Sequence, residues 1–169
     1  MTERSGEQVT VDAGRLEDFA AAAFRAVGLD DAAAAEGAHV LVRTSMRGVE
    51  SHGVWFLGRY IRQLRAGGAN LRPHVTHVVD HGALLVVDGD AALGLSLATR
   101  VTREATDRAG RFGLSMVSVR NGNHFGAAGH YALMCAEAGH IGLVLSNTAP
   151  IMTVTGGRSR VIGNSHLAF

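Results

Sequence analysis

Glycine marks the places where the hydrophobic period of this chain breaks, and this punctuation limits what it can fold into. From Val11, the residues Leu16, Phe19, Ala20, Ala23, Phe24 and Val27 recur on one face of a helix that Asp12 caps and Gly28 ends. Asp30 or Asp31 caps a second helix, which runs through an alanine run to about Arg47 and breaks at Gly48. A third carries Val54, Leu57, Ile61 and Leu64 at helical spacing and stops at Gly67-Gly68. The period then changes. Strands at residues 75–79 and 83–87 flank a turn at His81-Gly82, and Asp88-Gly89-Asp90 is a further turn signal. A long helix over about 95–109 ends at Gly110 or Gly113, and residues 114–119 form a β-branched strand. A helix over 127–138 and a strand over 141–145 follow. Strand, helix, strand predicts an α/β layer with at least one parallel crossover. The expected fold class is α/β: a three-helix segment over residues 1–72, then the first part of an α/β domain over 73–169.

Composition narrows the function. A hydrophobic content of 47% against 18% charged residues supports a sizeable core. The net charge of +1, without a basic run, argues against nucleic-acid or membrane-surface partners. All sixteen basic residues are arginine, which excludes a Schiff-base or P-loop lysine. The single Cys135 cannot form an internal disulfide and fits a reducing cytoplasm. No apolar run approaches the ~18 residues of a membrane span. The polar opening from Met1 to Glu7 is not a signal peptide, and residues 1–10 are expected to be loose. The chain ends on the apolar Leu167-Ala168-Phe169, as if cut inside an element that would otherwise continue.

Two segments can carry chemistry: Ser51-His52-Gly53 and Asn123-His124-Phe125-Gly126-Ala127-Ala128-Gly129. Each places a histidine beside small residues where regular structure breaks. Glycine lets a backbone approach a ligand, and histidine exchanges protons near neutral pH. Together they predict a small-molecule proton-transfer site. No Gly-x-Gly-x-x-Gly fingerprint follows a strand, and Gly122, Gly126 and Gly129 miss that spacing. Even so, a helix opening near Ala127 after a glycine-rich turn would aim free N–H groups at a nicotinamide or a substrate carboxylate. Ser51 reads as the N-cap of the third helix, with His52 at that N-terminus, kept neutral by the helix dipole and oriented by Glu50. His74, His77 and His81, with His130, Cys135 and His140, offer metal-ligand types. The first three span a strand whose alternation separates His74 from His77, and the others trail along a helix and past its end, so no metal site is assigned.

Five segments together resemble the type-2 malate/L-lactate dehydrogenase family, which includes ureidoglycolate dehydrogenases and diketogulonate reductases. They are Arg47-Gly48-Val49-Glu50-Ser51-His52-Gly53-Val54, Arg59-Tyr60, Val87-Asp88-Gly89-Asp90, the segment from Asn123 to Gly129, and Ser146-Asn147-Thr148-Ala149-Pro150. The resemblance implies an NAD- or NADP-dependent oxidoreductase with a non-Rossmann cofactor fold, acting on a small 2-hydroxy or 2-oxo acid as a homo-oligomer. It further implies His52 and His124 as catalytic, leaving open which is the acid/base. Ser51, Arg47 and Thr148 would contact substrate, and His124, Phe125, Gly126, Ala127, Ala128 and Thr148 the cofactor. Two positions depart from the pattern. Phe56 stands where many members carry a carboxylate-binding arginine, which Arg47 or Arg59 would replace. Gly163-Asn164-Ser165-His166 stands for Gly-Thr-Asn-Pro. Relatives continue well past Phe169, so the chain reads as an N-terminal half that needs a complementing C-terminal half. The alternative is a catalytically inactive relative serving as a structural or dimerising fragment.

Overall fold

The computed structural model describes residues 10–169, so the expectations for the polar opening fall mainly on residues 1–9, outside the described residues. Helices α1 (Ala13–Ala26) and α2 (Asp31–Met46) begin as their caps predict. Asp12 Oδ1 accepts the Arg15 N–H at 2.9 Å, and Asp30, rather than Asp31, accepts the Ala33 N–H at 2.8 Å. The two helices pack through small residues, so Ala20, Phe24, Ala34, Ala38 and Leu41 are all fully buried. Phe19 is an exception to the expected stripe and lies 64% exposed. The buried stripe is Ala20, Ala21 and Phe24, which leaves Phe19 about 100° round the helix from Ala20, at its edge.

Helix α3 (Leu57–Arg65) closes this layer with Leu57, Tyr60 and Leu64. The same core takes in Leu93, Leu95 and Tyr131, so the helical layer continues into the α/β part. Strand β1 (Thr76–His81) pairs antiparallel with β2 (Leu84–Asp88), with a bulge between His77 and Val79. Helix α4 (Gly94–Phe112) carries the chain across to β3 (Met116–Arg120), which pairs parallel with β2. This is the crossover that the strand–helix–strand order predicts. Of the two candidate stops, Gly110 lies within α4 and Gly113, at φ +82°, ends it. A second, smaller core forms where Leu85 and Val87 of β2 meet Leu97 and Val101 of α4.

Helix α5 (Ala128–Glu137) leads to β4 (Val144–Ser146), which pairs antiparallel with β5 (His166–Ala168). The strand expected over 141–145 starts later than predicted. Gly142 lies so close to the Cys135 side chain and the Ala132 carbonyl that residues 141–143 are spent turning back along α5. Among the described residues no helix is long and apolar enough to cross a membrane.

Candidate functional site

The site is built around the loop that follows β3. Asn121 turns the chain at φ +52° and donates through Nδ2 to the Asp88 carboxylate at 2.9 and 3.1 Å. Arg120 Nε adds a 2.9 Å bond to the same carboxylate. The Asp90 amide, Asn121 and Arg120 together hold the Asp88 carboxyl below its usual range. The next polar residue, Asn123, donates to the carbonyls of Ala91 and Ala92 at 2.8 and 3.0 Å and accepts from Gln63 Nε2 at 3.0 Å. The carbonyls of Asn123 and His124 lie directly on Gly94, at the start of α4, where a Cβ would collide with them. Only glycine permits that approach.

The second histidine arrives from the other side. After α2, two short 3-10 turns, Glu50–His52 and Val54–Phe56, lead into α3. Ser51 does not cap α3, because these turns intervene. Ser45 of α2 accepts the Val54 N–H at 2.9 Å instead and donates to Glu50 at 3.1 Å. Glu50 is thereby held on Ser45, while Ser51 Oγ lies 3.0 Å from His52 Nδ1. The His52 ring stacks 5.7 Å from that of His124, and Phe56 stacks on both, at 5.8 Å from His52 and 5.6 Å from His124.

Tyr60, one turn into α3, fixes the state of His124. Its hydroxyl lies 2.6 Å from His124 Nδ1. Burial raises the phenol pKa, with the Arg59 charge and the Gly126 amide pulling the other way, so Tyr60 stays protonated and donates. Neutral His124 therefore accepts at Nδ1 and carries its own proton on Nε2. Burial, then the charges of His52, Arg59 and His166, push its pKa down to about 4. Burial and His166 also lower that of His52. Sequence reasoning assigned Tyr60 no role, although its spacing of three from Gln63 puts both on the helix face that meets the loop.

Both histidines open on a cavity of about 1010 Å³ that is also lined by Phe56, Arg59, Phe125, Gly126, Thr148 and His166. Of the residues expected here, the structure brings together His52, His124, Phe125, Gly126 and Thr148. Four others are not part of this wall. Arg47 ends α2 with its charge felt by His130, and Ser51 faces solvent behind His52. Ala127 is the N-cap of α5, and Ala128 is buried in its first turn. His166 was missed as a site residue. The pairing of Ser146 with His166 brings it over the loop, its ring 6.0 Å from Phe125. That pairing spans twenty residues and leaves no local signal in the sequence. His77, one of the candidate metal ligands, is engaged by Glu104 at 3.2 Å, and the described residues contain no group of three metal-ligating side chains.

A nicotinamide fits these surroundings. The cavity has the volume for a large ligand, its floor is apolar at Leu97, Val101 and Val119, and the glycine-bearing loop borders the histidines.

Residues 11–169 match the family model described as malate/L-lactate dehydrogenase. The malate dehydrogenase of Pyrococcus horikoshii is 37% identical over 160 residues, which make up 95% of this chain and 44% of that protein. The L-sulfolactate dehydrogenase of Methanocaldococcus jannaschii is 34% identical over 131 residues, 78% of this chain and 38% of that protein. The solved structure of the Pyrococcus horikoshii malate dehydrogenase matches with a TM-score of 0.89 at 36% identity, covering 94% of this chain and 46% of that one. The chain spans a little under half the length of these relatives. By family match, sequence identity and fold, it belongs to the malate/L-lactate dehydrogenase family.

Proposed function

We propose that this chain supplies the proton-handling part of an NAD- or NADP-dependent dehydrogenase for small 2-hydroxy acids. The observation that carries this reading is the pair of stacked, neutral histidines on one cavity wall, one with its proton fixed on Nε2. When bound, a nicotinamide would supply the hydride chemistry at the carbinol or carbonyl carbon. The loop from His124 to Gly126 and Thr148 would border it. In the oxidising direction, His52 donates its Nδ1–H to Ser51 and takes the substrate hydroxyl proton on Nε2; in reduction it gives that proton back. General acid–base help of this kind contributes ~10²–10⁴-fold. His124 stays neutral and donates its Nε2–H to the substrate oxygen as an electrophile, a role its low pKa suits. The functional partner of the chain is then a small-molecule substrate.

Thermal unfolding with NADH and with NADPH tests this reading. A cofactor at 100 times its Kd stabilises by ~2.7 kcal/mol, and no shift with either would overturn it. In an assembled, active protein, His52→Ala should lower kcat by ~10²-fold or more and leave the cofactor-induced shift in place. A near-normal kcat would move the acid/base role to His124. The exposed apolar side chains Ile141, Leu145 and Phe169 support a second reading, in which the chain assembles with another copy and does not turn over.

A further inference from the structure

On the reading of the cavity as a hydroxy-acid site, we propose that Arg59 and Phe56 set its substrate class. The acid would carry a single carboxylate, held by Arg59, and a flat or branched apolar group laid against Phe56. A dicarboxylate would be disfavoured.

Two guanidinium groups of the described residues line the cavity, Arg59 and Arg120. Arg120 is committed to Asp88 at 2.9 Å. Arg59 has no carboxylate within ion-pair distance among the described residues. Its guanidinium instead lies 5.2 Å over the Phe56 ring, a contact that steers it without neutralising its charge. Arg59 and His124 line the same cavity, and the Arg59 charge is felt at the His124 ring. Arginine suits a carboxylate because its planar fork donates two parallel hydrogen bonds.

Phe56 provides the other half of the selection. Its ring lies nearly parallel to His52, at 6°, and is tilted 22° from His124, so it forms a flat apolar plate beside both proton-handling groups. A second carboxylate placed there would lose water and gain no hydrogen bond, which is costly. Phe56 is only partly buried and lines the cavity, so an aromatic or branched apolar group would instead pack against the ring surface that His52, His124 and Arg59 leave open.

The test compares phenylpyruvate with oxaloacetate on the parent chain, read by the imidazole NMR signals of His52 and His124 during titration in the presence of NADH or NADPH. Phenylpyruvate should bind at least about tenfold more tightly, as expected for an unpaired charge excluded from one of the two. Arg59→Gln should weaken phenylpyruvate by about tenfold or more, and Arg59→Lys should recover part of that loss. Phe56→Arg should reverse the preference in favour of oxaloacetate. Equal or tighter binding of oxaloacetate by the parent, or no effect of Arg59→Gln, would overturn the proposal. If both acids shift the two histidines without preference, the specificity inference fails and the dehydrogenase reading stands. If neither acid shifts them, both fall together.

Discussion

The helical layer and the last thirty residues handle apolar surface in opposite ways. In α1–α3, Phe24, Leu41 and Tyr60 are essentially fully buried, and Asp12 and Asp30 at the starts of α1 and α2 accept backbone N–H groups of their own first turns. Past α5, Ile141 is 100% exposed and Phe169 92%, and Leu145 and Leu167 on the paired β4 and β5 are also open. One region is sealed within a core that it shares with Leu93, Leu95 and Tyr131, and the other presents an apolar face. The cavity lies between them. Its lining takes His52, Phe56 and Arg59 from the helical side, His124 to Gly126 from the loop after β3, and Thr148 and His166 from the open side. The His52 wall of the cavity is thus anchored in the best-buried part of the chain, while the wall that carries Thr148 and His166 rests on the part most in need of cover.

The sharpest way to break this comparison is to damage both regions equally. Phe24→Ala should cost about 3–5 kcal/mol in urea unfolding, because the alanine-lined pocket around it has little to collapse with. Leu145→Ala should change stability by less than about 0.5 kcal/mol. Similar losses at the two sites would end the distinction. The second effect is association. Apolar surface beyond a few hundred Å² marks an interface, so the parent chain should self-associate in light scattering. The double substitution Leu145→Arg with Leu167→Arg should shift it toward monomer, and a parent that is already monodisperse as a monomer would remove the argument.

A third effect is pH dependence. Burial, followed by the charges of His39, Arg43 and Arg47, pushes His130 down to about 4, and His124 also lies near 4, against a usual histidine value of 6.5. The unfolded chain therefore binds more protons than the folded one between these values. Stability is fully present above about pH 6.5 and falls as the pH drops toward 4. The urea midpoint should follow that course, with His130→Gln flattening part of it. A midpoint unchanged between pH 7.5 and 4.5 would show that neither ring is held neutral by the fold.

The helices and the β1–β2 turn were legible in the sequence because their signals are local. Caps at Asp12 and Asp30, glycines at Gly28 and Gly113, and one apolar stripe per helix suffice. Boundaries moved where tertiary contacts intervened: β4 begins late because Gly142 must pack on Cys135. The site was legible in its two histidines, which proximity to glycine singled out. It was not legible in its supports. Ser45 holds the turn at Val54 from nine residues upstream, Tyr60 reached His124 across 64 positions, and His166 arrived through strand pairing. Arg47 came in through the resemblance, and it is not among the residues that line the cavity.

Asn123 makes three hydrogen bonds with one side chain, to the turn before α4 and to Gln63 of α3. The backbone beside the histidine pair is therefore ordered by folding itself. A ligand that meets this loop does not have to spend binding energy on arranging it, so less of its intrinsic affinity is lost to ordering entropy. Preorganisation of this kind has a thermodynamic signature: Asn123→Ala would weaken ligand binding chiefly through a more unfavourable entropy, although Asn123 itself touches the ligand with none of the three bonds that matter here.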